Sequence, residues 1–293
     1  MMAERDISAV EDGRKVIGES GRVPEGTAYD STYLRSADKA SIPVCNIMGV
    51  DIAAINMEWL VGYLSDHVEK LSGDYICVSN VHTVVTAYEN PEYRKVQNGG
   101  IMAIPDGAPL SVLGRRRGFS DMGRTTGPDL MGEIFRISGN RGYRHFFYGS
   151  TEETLEKLAE RLKAEYGGLE ITGMYSPPFG PVSDGEDAQI VQLINDADAD
   201  FVWVGLGAPK QERWMAEHQG RIKGLMIGVG AGFDYYAGNI RRAPEWMQRG
   251  NLEWVYRLMQ EPQRLFGRYL HTNAVFLWRT LRESAAYLRK NPE

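Results

Sequence analysis

FVWVGLGAPKQE, residues Phe201–Glu212, sets a short apolar run directly before a glycine turn and a polar helix start. Phe201–Val204 is bulky, β-branched or aromatic throughout, which suits a strand buried on both faces. Helical periodicity follows at Gln211–His218, and a second apolar run, Leu225–Val229, comes after it. Strand, turn, helix and strand in that order form the unit of a parallel sheet. The alternation extends toward the N-terminus. Ile76–Ser79, Ile101–Ile104, His145–Tyr148 and Ile171–Met174 read as further strands. Met57–Leu71, Thr83–Asn90, Leu130–Ile137, Thr151–Tyr166 and Asp187–Asp196 read as amphipathic helices between them. The predicted class is α/β: a Rossmann-like, mostly parallel sheet with helices on both faces. After Gly238 the strand pattern stops, and the chain reads as a C-terminal helical appendage broken at Pro244 and Pro262.

The 293 residues are 43% hydrophobic and 25% charged, an ordinary globular balance. Residues 1–40 are polar and lack periodicity, and are expected to be mostly disordered. The body is expected over 41–240 and the appendage over 241–293. The net charge is −6, which argues against nucleic acid as a partner. That charge is uneven: residues 241–293 hold ten Lys/Arg against five Asp/Glu, so a body of net −11 carries a tail of +5. Trp246, Trp254, Tyr256, Phe266, Leu270 and Trp278 interleave with the basic groups, the composition of an interfacial helix. A solvated helical face is the alternative. The two cysteines exclude a disulfide scaffold and fit a reducing compartment. No apolar run approaches the roughly 18–20 residues that span a bilayer, and the first residues show no signal-peptide core. A cytoplasmic chain that meets a membrane only from the side is expected.

In an open α/β sheet, ligands bind beyond the carboxyl ends of the strands. Four predicted strands end in polar or glycine residues: Asn80-Val-His82-Thr83, Pro105-Asp106-Gly107, Gly205-Leu-Gly207-Ala-Pro-Lys210-Gln211 and Gly230-Ala-Gly232-Phe-Asp234. Each alone is compatible with turn chemistry. Backbone N–H groups of Gly205-x-Gly207 could face a phosphate, with Lys210 and Gln211 gripping a diphosphate or a sugar. Lys210 stands where a dinucleotide fingerprint needs its third glycine. Asp106 could take a proton from an attacking hydroxyl, or could cap the helix beginning at Ala108. His82 reads as a second acid–base group or as a hydrogen-bonded structural histidine. No histidine pair has metal-ligand spacing. Asp196, Asp198 and Asp200 precede a strand and belong to the opposite edge.

Read in order, the motifs around Val78–Thr83, Ile104–Gly107, Arg124–Leu130, Phe147–Gly149, Val204–Glu212, Gly230–Gly238 and Arg242–Trp246 form a pattern. With Leu252–Trp254, Arg257, Glu261–Leu265 and Arg268-Tyr269, the chain resembles the WecG/TagA/CpsF glycosyltransferases over roughly residues 45–275. The resemblance implies inverting transfer of a sugar from a UDP-sugar donor to a polyprenyl-diphosphate-linked acceptor in envelope polysaccharide synthesis. It implies no cofactor and no metal, and a peripheral enzyme on the cytoplasmic face of the bacterial inner membrane, held to the anionic surface by 241–293. A homo-oligomer is compatible with it. It further implies that Asp106 is the general base. Asn80, Arg124 and Gln211 match family positions at the substrate, and Arg257, Arg264 and Arg268 match arginines that meet the acceptor diphosphate. His82, Asp129, Gly205, Gly207, Lys210 and Asp234 complete the candidate binding set. Val78 stands where members using N-acetylmannosamine often carry threonine, and the implied donors are N-acetylmannosamine, its uronic acid or glucose. Two other classes are considered: a nucleotide-dependent oxidoreductase, and a non-catalytic membrane-binding module.

Overall fold

The computed structural model describes residues 39–178, 180–250 and 252–290. All but the last two residues of the expected disordered extension lie outside them. The chain opens with a hairpin, β1 (Val44–Ile47) and β2 (Val50–Ala53), followed by α1 (Met57–His67) and β3 (Tyr75–Ser79). Then come α2 (Val81–Glu89), α3 (Pro91–Gly99), β4 (Met102–Pro105), α4 (Ala108–Arg116) and α5 (Gly127–Arg141). The second half holds β5 (Arg144–Gly149), α6 (Glu152–Glu165), β6 (Glu170–Tyr175), α7 (Asp184–Asp196), β7 (Phe201–Gly205), α8 (Lys210–Glu217) and β8 (Leu225–Gly228). It closes with α9 (Gly232–Ala237), α10 (Glu245–Arg249), α11 (Glu253–Gln260) and α12 (Pro262–Lys290).

The eight strands form one sheet in the order β1-β2-β4-β3-β8-β7-β5-β6. Every neighbouring pair is parallel except β1 with β2. The six strands expected from the apolar runs are all present. The β1–β2 hairpin was not expected. Its turn, Met48-Gly49, has φ of 53° and 91°, the left-handed pair that a two-residue hairpin needs. Methionine is an unusual residue there, so the local sequence carries no turn signal. Helix α3 was also unforeseen, although Asn90 caps it and Pro91 occupies its first turn.

The strands are covered on both faces because successive side chains point to opposite sides. Phe201 and Trp203 join one apolar layer with Leu60, Leu64, Leu130, Phe135, Leu158 and Phe233. Val202 and Val204 join the other, with Val84, Val85, Tyr93, Ile190 and Met215. The appendage folds back on this second layer. Phe276 of α12 is 6% exposed within it, and the Arg279 guanidinium lies 4.3 Å from the centre of the Tyr88 ring on α2. His271 reaches Glu89 at 3.0 Å, and Arg117 pairs with Glu283 at 2.6 Å. The proline breaks fall where expected, with Pro244 before α10 and Pro262 opening α12. No described helix is long and apolar enough to cross a membrane.

Candidate active site

Strands β4, β3, β8 and β7 are consecutive in the sheet, and their carboxyl ends carry the four polar loops. The crossover from β3 runs outward to β4, while β8 comes in from β7, so β3 and β8 border the switch point where α/β sheets bind ligands.

Asn80 caps α2. Its Oδ1 accepts the N–H groups of His82 and Thr83 at 3.0 and 3.3 Å, and Thr83 Oγ1 accepts the Asn80 N–H at 2.9 Å. This reciprocal box fixes the amide, so its Nδ2 donates across to Asp106 Oδ2 at 3.4 Å. Asp106 does not cap the next helix: Gly107 is at the cap position of α4, without a side-chain bond. The Asp106 N–H donates to the Ser79 carbonyl at 2.8 Å, which joins the ends of β3 and β4. Burial pushes the Asp106 carboxyl up to about 6. The Asn80 bond opposes that shift, Glu253 adds to it, and Arg124 and Arg257 oppose it. A carboxylate that exchanges protons near pH 6 suits a general base.

The appendage roofs this point. Arg257 of α11 lies 5.7 Å from the centre of the Tyr235 ring. Burial raises the Tyr235 hydroxyl to about 12, an effect that Arg257 opposes. Arg268 of α12 stands close enough to His82 to depress it, but burial is the larger cause of a fall to about 4, which leaves the ring neutral. The buried His82 Nδ1 has no hydrogen-bond partner among the described residues. Arg257 and Arg268 come from two helices separated at Pro262 and converge on the cleft. The side chain of Arg264 lies outside the described residues.

Arg124 pairs with the appendage more closely than with its own loop. Its Nη1 donates to Glu253 Oε2 at 3.1 Å, while Asp129 Oδ2 is 4.0 Å from Nη2. Asp129 is closer to Arg242, 2.7 Å from Oδ1 to Nη2, and accepts the Thr126 hydroxyl at 2.6 Å. Glu253 thus joins Arg124 of the body to Arg242 of the appendage, and it makes no ion pair with Arg257 or Arg268 among the described residues.

The glycine loop is shaped from beneath. Gly207 has φ of 78°, which glycine adopts without strain, and a Cβ on Gly205 would meet the Phe233 ring at 2.6 Å. Gln211 is 4% exposed. Its Oε1 accepts the Gly207 N–H at 3.0 Å and its Nε2 donates to the Gly228 carbonyl at 3.0 Å. Those bonds turn the Gln211 amide inward and occupy the Gly207 N–H. Lys210 is exposed at the start of α8. Asp234 Oδ1 accepts Asn239 Nδ2 at 3.1 Å and its carbonyl accepts the Asn239 and Ile240 N–H groups, so it closes its own turn. The motif reading gave no role to Glu253 or Tyr235, although Leu252–Trp254 and Gly230–Gly238 contain them. Among the described residues, no group of three His, Cys, Asp or Glu side chains gathers as a metal site.

A family model described as Glycosyl transferase WecG/TagA/CpsF family matches residues 45–290. A protein of Bacillus subtilis (strain 168) is 30% identical over 211 residues, covering 71% of this chain and 80% of its own. It carries the name N-acetylglucosaminyldiphosphoundecaprenol N-acetyl-beta-D-mannosaminyltransferase. The similar protein of Bacillus spizizenii bears the same name, at 30% identity over 68% of this chain and 76% of its own. One from Staphylococcus aureus (strain MW2), also so named, is 26% identical over 83% of this chain and 94% of its own. The match spans the strand-end loops, the glycine turn and the appendage alike, and on that ground the chain belongs to the WecG/TagA/CpsF family and is a glycosyltransferase.

Proposed function

We propose that the enzyme transfers N-acetylmannosamine from its UDP-sugar to an N-acetylglucosamine carried on a polyprenyl diphosphate, with inversion at the anomeric carbon. The names of the relatives support this donor and acceptor pair over the uronic acid and glucose alternatives. The observation that carries the chemistry is Asp106: a carboxyl raised to about 6, held by Asn80 at a strand end. Asp106 accepts the proton of the acceptor hydroxyl, whose oxygen attacks the anomeric carbon. The bond from that carbon to the UDP oxygen breaks, and UDP leaves with the electron pair. The second nearby carboxylate, Glu253, is engaged by arginine, consistent with one base rather than a pair. Arg257 beside the base and Arg268 beside His82 supply positive charge at the cleft, as a diphosphate needs. Val78 is 8% exposed within the core, so its departure from threonine bears little on the sugar.

The appendage places the enzyme on the cytoplasmic face of the membrane. On α12, Phe266, Leu270, Leu277 and Leu281 are 58–68% exposed. At 100° per residue they fall within an arc of about 60°, with Trp278 about 60° beyond one edge and Arg268 on the opposite side, toward the cleft. An exposed apolar stripe on a helix of a basic segment suits an anionic bilayer surface. The test is UDP release with UDP-N-acetylmannosamine, UDP-N-acetylglucosamine and UDP-glucose against a short-chain polyprenyl-diphosphate N-acetylglucosamine. Turnover only with the first supports the reading; turnover only with another donor refutes the donor assignment, and none with any refutes the function.

A further inference from the structure

Helix α11 poses a packing problem. It carries Arg257 to the base, yet none of its residues is buried. Its N-cap, Leu252, offers no side-chain bond. Val255, Tyr256 and Leu258 are only half-buried, so apolar burial anchors the helix incompletely and polar contacts add to it. Glu253, its first residue, has the least exposed of the four side chains in a network that reaches the core, at 17%. Glu253 Oε2 accepts from Arg124 Nη1 at 3.1 Å, and Oε1 lies 3.9 Å from Arg242 Nε. Asp129, at the start of α5, completes the ring of two cations and two anions through Arg242 at 2.7 Å and Arg124 at 4.0 Å. The three partners come from the loop before α5, from α5 itself and from the loop after α9. Other contacts of α11 include the Arg257 guanidinium 5.7 Å from the Tyr235 ring centre, Trp254 meeting the Tyr269 ring edge-on at 6.1 Å, and exposed Gln260 donating to the Arg241 carbonyl at 3.2 Å.

We propose that Glu253 is a positioning residue, a latch that ties α11 to the core through Arg124 and Arg242 and so holds Arg257 over Asp106. This rests on the proposed transfer for its consequence, not for its structural content. The arrangement also separates two kinds of arginine. Arg124 and Arg242 have carboxylate partners, whereas Arg257 has no carboxylate partner among the described residues and is left for an anionic ligand. A partly buried network with alternating charges gains more from each member than an isolated surface pair does.

The test uses the full chain and two variants, Glu253→Ala and Glu253→Gln, the second keeping an amide oxygen that can accept from Arg124 Nη1. Amide hydrogen exchange over residues 253–260 should quicken in Glu253→Ala and recover in large part in Glu253→Gln. Transfer efficiency toward the polyprenyl-diphosphate acceptor should fall about tenfold in Glu253→Ala. Affinity for UDP should stay the same or tighten, since Arg124 is released, and the unfolding temperature should not move. Unchanged exchange in α11 overturns the latch. Parallel loss of UDP affinity and unfolding temperature also overturns it, because the residue then serves the donor site or the fold. If the wild-type enzyme releases no UDP with any acceptor, the transfer reading fails, and hydrogen exchange still decides the latch.

Discussion

Asp106 shows how a backbone position becomes a chemical one. Its neighbour Asn80 spends one amide oxygen on two backbone N–H groups of α2 and one amide N–H on the carboxylate. Asp106→Asn keeps the volume and removes the base, so turnover should drop by about 10²–10⁴ with UDP affinity unchanged. In the wild type the rate should fall as pH drops through about 6, because Asp106 then carries a proton. The same shift has a stability consequence of opposite sense. The folded carboxyl holds its proton more tightly than the unfolded one, so ionising it disfavours the fold above about pH 6, and that penalty fades as pH falls toward the ordinary aspartate value of 3.8. Asp106→Asn should therefore unfold at a higher temperature than wild type at pH 7.5, with the gap closing by pH 4. Thermal unfolding at the two pH values measures it. Asp106 was legible from a strand-end position, and the box that orients Asn80 was present in the sequence as Asn-x-x-Thr. Glu253 was not legible, because its partners lie about 130 and 11 residues away along the chain and only folding brings them together.

Two elements carry most of what surrounds the base. The β7–α8 loop is held by Gln211, whose amide bridges the Gly207 N–H and the Gly228 carbonyl. Gln211→Ala strips the half-buried Gly207 N–H and the buried Gly228 carbonyl of this partner, which costs about 1–3 kcal/mol, and lets the loop relax. The expected result is weaker UDP binding by calorimetry together with a lower unfolding temperature; full UDP affinity with only the stability loss would make the residue part of the core alone. The sequence placed Gln211 at the helix start beyond β7, but its inward orientation depends on the neighbouring strand β8, which no local pattern specifies. Helix α12 is the second element. Its stripe of Phe266, Leu270, Leu277 and Leu281 faces solvent while Phe276 faces the core. Phe266→Asp with Leu270→Asp should abolish co-sedimentation with anionic liposomes and leave the unfolding temperature within about 1 °C, since surface substitutions change stability little. Retained sedimentation would remove the membrane role from this face.

At the scale of the whole molecule, the appendage is part of the packed structure rather than a detachable arm. Leu265 and Phe276 are 2% and 6% exposed, and each buried apolar side chain contributes roughly 1.5–3 kcal/mol. A chain ending at residue 240 should therefore unfold at a lower temperature, lose transfer and lose liposome binding, so the four-residue network and the exposed stripe, rather than truncation, separate placement from attachment. A truncated protein with the full unfolding temperature would show that the appendage contributes nothing to the body. The sequence by itself determined the strand–helix alternation, the parallel sheet, the strand-end location of Asn80, Asp106 and the glycine loop, and the helical, basic, broken character of the tail. Those features follow from local periodicity, from proline and glycine, and from the rule that parallel strands expose their carboxyl ends on one edge. Tertiary structure alone decided that the tail folds back over that edge, that Arg124 and Arg242 meet Glu253, and that Gln211 faces inward. These depend on contacts between residues distant in sequence, where no short pattern records which charge will face which.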